Sequence, residues 1–360
     1  GAESLRWFIG YIRSLARPMG KVYMDIGEPV VLERAPDPDD RLALSKIAFE
    51  VAVEANHVTP ITFPSLVTMS LLGSAPKALT EAEVIEDLRA LLAWAEARNL
   101  RISDDFDRAY ADQMEGLLGI MIAERIVTRY DEGPEIVYGI DLNQHPVASY
   151  YRNTVIHFFV NKAIIELALL KASEKEGEGA LEVFWNEVDE LRDLFKFEFF
   201  YAPTEEFHRQ IREELDRYDT DWENLLSQGA AGFGLMLNSM IPLVSHVTLL
   251  TYAEAYSVVA TLLAALDETE SLEQDDCVEK ALKFGRQAYL QRRISSESSI
   301  GKQLFKNAYK MLQSRKLTDC SDPNVAENRM ELARELRDLL RRLDLIRAIG
   351  VASRGTGQEK

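Results

Sequence analysis

The sequence predicts a mostly α-helical protein with one short β-hairpin set in winged-helix-like surroundings. Three observations carry that expectation. Apolar residues recur at helical spacing through most of the chain. Hydrophobic residues make up 47% of the 360, enough to bury a sizeable core. Strand-type alternation is confined to two short stretches, around 21–32 and 126–140.

In chain order, residues 3–17 place Leu5, Phe8, Ile9, Ile12 and Leu15 on one helical face, and Pro18-Met19-Gly20 ends that helix. In KVYMDIGEPVVL, Val22, Met24 and Ile26 alternate with Tyr23 and Asp25, which predicts a strand stopped by Gly27 and Pro29. A lone strand leaves its backbone groups unpaired, so its sheet must come from elsewhere. Residues 1–40 are therefore expected to be the terminal helix and strand of another domain, with 35–40 as linker.

Residues 41–142 read as a helical subdomain. Helices are expected over 41–56, from Thr59-Pro60 to Gly73, and after Thr80, where Glu83 three residues on completes a capping box. A further helix over 104–125 precedes two β-type runs around Asp131-Glu132-Gly133-Pro134, a hairpin signal. Residues 143–350 read as a second helical domain, with 351–360 a disordered tail. Its helices are expected over 150–170, 180–201, 204–218, 275–290, 296–315 and 323–347. Residues 229–253 contain no charge. That run is long enough to span a bilayer, yet Pro242, Asn238 and His246 interrupt it. It reads as two buried or membrane-surface helices meeting at Pro242, the second running on to 266.

The chain centres on 150–170, nearly all apolar from Thr154. Asn153, His157 and Asn161 recur every fourth residue, and Lys162 and Glu166 continue a thin polar stripe on one buried cylinder. An unpaired buried polar group costs about 1–3 kcal/mol, so the stripe needs partners. Either neighbouring helices satisfy it or it lines a substrate cavity; the former is favoured by the general pairing of buried polar groups.

The net charge of −18 argues against nucleic acid as a partner. It is unevenly spread. Residues 280–360 hold 18 basic and 9 acidic side chains, a local +9, against 23 basic and 50 acidic before them, a local −27. The basic part is suited to anionic lipid, to phosphate-bearing ligands, or to the chain's own acidic part. Cys277 and Cys320 have no metal-ligand spacing and suit a reducing compartment; neither metal nor cofactor is expected. The start at Gly1-Ala2 reads as a fragment or processed product.

No Walker loop, G-x-S-x-G or H-E-x-x-H occurs, and GAAGFG at 229–234 lacks a preceding strand. Of the five histidines, His208 alone has an acid five positions on, Glu213, in a highly charged helix where chance explains it. The chain presents no complete catalytic constellation.

Four blocks together resemble a family. GKVYMDIGEPVVL resembles the G-x-V-Y-V-x-F-G-E-P-I strand, with Asp25-Ile26 where Asn-Phe is usual. SYYRNTVIHFFVNKAIIELAL resembles a Y-R-N-x-x-x-H helix. DELRDLFKFEFFY resembles an L-x-x-E-F-F block. ESSIGKQLFKNAYKMLQSRKL resembles an S-x-x-L-F-x-N-A-L block ending R-G-L, with Lys316 in place of the glycine. The family is the bacterial membrane-bound glycerol-3-phosphate 1-O-acyltransferase, related to the mitochondrial glycerol-3-phosphate and dihydroxyacetone-phosphate acyltransferases, and the likeness is to its C-terminal half. The resemblance implies an α/β acyltransferase domain closed by the 21–32 strand. It also implies a His-x4-Asp pair upstream that deprotonates glycerol 3-phosphate for attack on acyl-CoA or acyl-carrier protein. No catalytic residue transfers to this chain. Arg152, Asn153 and His157 are expected to support the active site, Arg152 by gripping a phosphate bidentately. Peripheral attachment to the cytoplasmic face of the cell membrane is the corresponding expectation. The competing reading is a non-enzymatic helical scaffold that binds partner proteins or lipid.

Overall fold

The computed structural model describes residues 23–32, 34–36, 43–106, 110–175 and 179–355. The expected helix over 3–17 lies outside the described residues. The chain divides into two compact units, 1–60 and 61–360. The expected boundary at 142/143 thus falls inside the second unit.

In the first unit, α1 (Ala43–His57) is the described helix. Residues 23–32 carry no strand assignment, so the expected strand is not confirmed here. They run against α1, with Gly27 close to the Glu54 carbonyl and Val58. A strand needs a hydrogen-bonded neighbouring strand. The apolar row that alternation picked out is nevertheless in the open, with Met24 85% and Ile26 91% exposed.

The second unit is helical around a small sheet. α2 (Phe63–Ser74) is capped at Thr62 and buried almost throughout. β1 (Leu79–Thr80) leads into α3 (Glu81–Glu96), opened by the predicted capping box: the Glu83 amide donates to Thr80 Oγ1, and the Thr80 amide donates to the Glu83 carboxylate. The predicted 104–125 helix resolves into a 3-10 turn, Asp104–Phe106, and α4 (Tyr110–Ala123). β2 (Thr128–Tyr130) and β3 (Val137–Gly139) form the predicted hairpin, Tyr130 opposite Val137. β1 pairs on the far side of β3, giving the antiparallel order β1-β3-β2. A two-residue strand is too short to show alternation, so it left no trace in the sequence pattern.

The helix expected over 150–170 is two helices: α5 (His145–Asn153) and α6 (Ile156–Ser173). Thr154 Oγ1 donates to the Tyr151 carbonyl at 2.7 Å, a local bond that competes with the helical ladder. Val155 sits at φ −122°, outside helical geometry. Then follow α7 (Ala180–Leu194), α8 (Thr204–Asp216), α9 (Trp222–Ser227) and α10 (Ala230–Ser239). α11 (Val247–Ala264) is the hub; α2, α6, α12 (Gln274–Leu290), α13 (Lys302–Ser314) and α14 (Val325–Gly355) pack on it. By length and composition α11 could cross a membrane, but 61% of it is buried inside the protein, as befits a core helix. α10 and α11 flank Pro242, as the uncharged run predicts. The 240–246 connection threads between small residues: a Cβ on Gly73 of α2 would stand 2.7 Å from the Cβ of Val244, and one on Gly350 of α14 would stand 3.1 Å from the Leu243 carbonyl.

α14 presents Leu332, Leu336, Leu339, Leu343 and Ile346 to the core at helical spacing. Each such side chain contributes roughly 1.5–3 kcal/mol on burial. The helix runs past the expected end at 350. Arg354 reaches back to Asp87 of α3 with two hydrogen bonds, 2.7 and 3.1 Å, which carries the ordered chain to Gly355. Residues 356–360 lie outside the description.

Lys316, the departure from the family's glycine, lies at φ +58°. It follows the end of α13, where the Leu317 amide donates to the Leu312 carbonyl at 2.9 Å, closing the helix in the left-handed manner glycine serves best. Lys316→Gly is therefore expected to stabilise the protein by about 1 kcal/mol, the left-handed penalty of a side chain. Urea denaturation measures it; a loss of stability refutes it.

Candidate functional site

Three of the sequence blocks that carry the family resemblance meet on one side of α11. They are α5, the 195–201 stretch after α7, and the 295–301 loop with α13. The blocks are far apart in the chain, and α11 brings them together through Thr251, Tyr252, Glu254 and Tyr256.

Arg152 is the cation of this cluster, only 5% exposed. Its Nη2 donates to Asn153 Oδ1 at 2.8 Å and to Thr251 Oγ1 at 3.4 Å, and its Nε donates to the same Asn153 oxygen at 3.2 Å. It forms no ion pair among the described residues. Burial lowers its pKa to about 10, against the opposing pull of Tyr252 and Glu254. A buried guanidinium held by neutral acceptors retains its charge for an anion.

Beside it, Ser149 Oγ lies 3.3 Å from Ser298 Oγ, which in turn hydrogen-bonds Ser296. Buried Glu254 accepts from the Ser295 amide at 2.7 Å and from Ser299 Oγ. Burial pushes the Glu254 carboxyl up, and these donors hold it back. Two residues on along α11, about 200° round the helix, Tyr256 donates to Glu198 at 3.0 Å, and Asn307 of α13 donates to it at 3.2 Å. Burial still pushes the Glu198 pKa up to about 7. Tyr252 packs edge-on against Phe199. The cluster offers a cation, hydroxyls and two carboxyls. Among the described residues it brings no histidine–carboxylate pair beside a nucleophile.

The chemistry-bearing stripe of α6 lies elsewhere. Lys162 and Glu166 are fully buried and pair at 2.5 Å, and Lys162 Nζ also donates to the Met240 and Pro242 carbonyls at 2.8 and 3.3 Å. Glu166 Oε2, Ser245 Oγ and His246 Nε2 are buried without a hydrogen-bond partner among the described residues. Burial raises the Glu166 pKa and lowers that of His246 to about 3, so the imidazole is neutral. Between α7 and α14 a cleft of about 470 Å3 has charged walls that answer one another, as in Arg342–Glu187 at 2.7 Å and Arg342–Asp338 at 3.1 Å.

The comparisons with known proteins bear on the same blocks. The family described as glycerol-3-phosphate acyltransferase C-terminal region matches residues 1–321. The chain belongs to that family. Over 353 residues, 96% of this chain, it is 33% identical to proteins of Mycobacterium tuberculosis and Mycobacterium bovis named "Putative acyltransferase plsB1". It spans 56% of the length of those relatives. It is also 24% identical over 225 residues, 58% of this chain and 27% of the relative, to the glycerol-3-phosphate acyltransferase of Pasteurella multocida.

Within this glycerol-3-phosphate acyltransferase C-terminal region, two of the three expected site residues come together: Arg152 and Asn153 share hydrogen bonds. His157 stands beyond the helix break, its ring centroid 4.0 Å from that of Phe158. His208 does not use Glu213, which lies 3.6 Å from Arg209; it pairs at 2.7 Å with Asp189 of α7. Sequence reasoning missed Thr251, Glu254, Glu198 and Tyr256 as site residues. The signal for Glu254 was present: it is the first charge after the uncharged run.

Proposed function

We propose that this chain is the helical, non-catalytic part of a glycerol-3-phosphate 1-O-acyltransferase. The parent enzyme moves an acyl group from acyl-CoA or acyl-carrier protein to the sn-1 hydroxyl of glycerol 3-phosphate in phospholipid synthesis. Family membership supports the reading, and so does the chemistry of the cluster, an anion grip without a base. In this reading α2–α4 with the hairpin form a winged-helix-like structural module, and the overall negative charge leaves nucleic acid out.

Two experiments test it. The 360-residue chain is expected to show no transfer from acyl-CoA to glycerol 3-phosphate; turnover by the purified chain refutes the non-catalytic role. In the parent enzyme, Arg152→Lys is expected to raise the KM for glycerol 3-phosphate about tenfold at unchanged Tm, because lysine keeps the charge but loses the planar fork. A lowered Tm at normal KM assigns Arg152, with Asn153, to structure alone.

The reading places the enzyme on the cytoplasmic face of the cell membrane, attached peripherally. The exposed face of α10 supports this: Ala230, Ala231, Gly234, Leu235, Asn238 and Ser239 carry no charge. The basic C-terminal segment supports it less than its charge suggests. Arg315, Arg341, Arg342 and Arg354 are engaged by Asp193, Glu174, Glu187 and Asp87 of the acidic part.

A further inference from the structure

At the C-terminal end of α10 the surface opens into a pocket of about 210 Å3 between α3, α6, the end of α8 and the 239–242 stretch. Its walls are Trp94 and Tyr218, with Pro242 at the α10 side, and Lys162 lies at its base. Arg98 is stacked over Trp94 at 4.2 Å from the ring centroid and is neutralised by Glu214 through two hydrogen bonds, 2.5 and 2.8 Å. Glu214 is fully engaged, since Trp94 Nε1 and Tyr218 also donate to it. Arg217 is different. It is exposed on the rim, donates through Nη1 to the Ala97 carbonyl at 2.9 Å, and has no carboxylate in ion-pair reach among the described residues. Adjoining this mouth, α10 displays its uncharged face, with Leu235 57% and Ile241 41% exposed.

A cationic mouth with aromatic walls, continuous with an exposed apolar helix face, matches the two halves of an anionic lipid. We propose that this pocket is a second, non-catalytic site that takes the phosphomonoester head of a bilayer lipid. Arg217 contacts the phosphate, Trp94 and Tyr218 flank the glyceryl part, and α10 rests on the acyl chains. The occupant is committed by charge complementarity: Arg217 is a cation without an internal counter-ion, and the surface beside it is apolar where soluble proteins usually carry charge. The site is separate from the Arg152 cluster, and it rests on the surface-attachment reading above.

Co-sedimentation of the 360-residue chain with vesicles of phosphatidylcholine, with and without phosphatidic acid, tests it. The chain is expected to bind the phosphatidic acid vesicles. Arg217→Ala should weaken that binding about tenfold, the worth of one charge-assisted hydrogen bond. Leu235→Asp should weaken binding to both vesicle types, and both variants should keep the wild-type Tm. Arg217→Lys should retain most of the binding. Equal binding by Arg217→Ala overturns the pocket and leaves surface attachment standing; no binding by the wild type overturns both. Glycerol 3-phosphate that displaces the chain from vesicles at concentrations well below those of the lipid identifies a soluble phosphate as the occupant and overturns the lipid assignment.

Discussion

Lys162→Met is expected to destabilise the protein by about 3–5 kcal/mol, the cost of breaking a buried ion pair by removing one partner. The ammonium serves three acceptors: Glu166 and the Met240 and Pro242 carbonyls. Methionine fills a similar volume but donates nothing, so two carbonyls beyond the end of α10 and one buried carboxyl lose their donor. Glu166 has an escape, because burial already raises its pKa. In the variant the folded state takes up a proton that the unfolded chain does not hold, so the deficit should shrink as pH falls toward 5. The pair Lys162→Met with Glu166→Leu removes the stranded charge and is expected to recover most of the loss. Urea denaturation of the three proteins at pH 8 and pH 5 measures all of this. A single variant as stable as wild type, or a double variant no better than the single, refutes the account.

Glu198→Gln is expected to act in the opposite sense. The Glu198 pKa is pushed from 4.5 to about 7 by burial. The folded protein therefore binds this proton more tightly than the unfolded chain does. The stability so gained is fully present below about pH 4.5 and is lost as pH rises through 7, reaching about 3 kcal/mol at pH 8. Glutamine keeps one oxygen for the Asn307 amide, turns its own amide N–H toward the Tyr256 hydroxyl, which can accept, and never ionises. The variant should match wild type near pH 5 and exceed it by up to about 3 kcal/mol at pH 8. Melting curves across that range decide it; a difference that does not change with pH shows that burial does not hold the carboxyl neutral.

Much of the helical architecture was legible because its signals are local. The Thr80–Glu83 capping box and the hairpin around Gly133-Pro134 are written within a few residues, and α10 and α11 part around Pro242 as the breaker predicts. Other ends were not legible. Asn99, Arg125, Arg292 and Lys316 all take positive φ just past a helix, where glycine is the usual signal. The break between α5 and α6 hides inside an apolar run, because Thr154 and Val155 are compatible with a helix by composition. It takes Asn153 off the stripe and turns Lys162 and Glu166 to the interior. The candidate site was half legible. Arg152 and Asn153 stood out in a recognisable block, but Thr251, which orients the guanidinium, lies 99 residues on. Such contacts depend on how α5 and α11 cross, and no spacing rule reports that.

The pairing of Arg354 with Asp87 spans 267 residues and lies in a nearly water-free site. Asp87 also accepts from Ser70 of α2, a neighbour only 17 residues away. Its cation stands 267 residues further on, so the carboxylate has no such partner until α14 has been made. Until then α11 lacks α14, the cover for one of its flanks. The helices before α14 therefore do not complete the 61–360 unit by themselves. The slowest folding step of the 61–360 unit is expected to be the docking of α14.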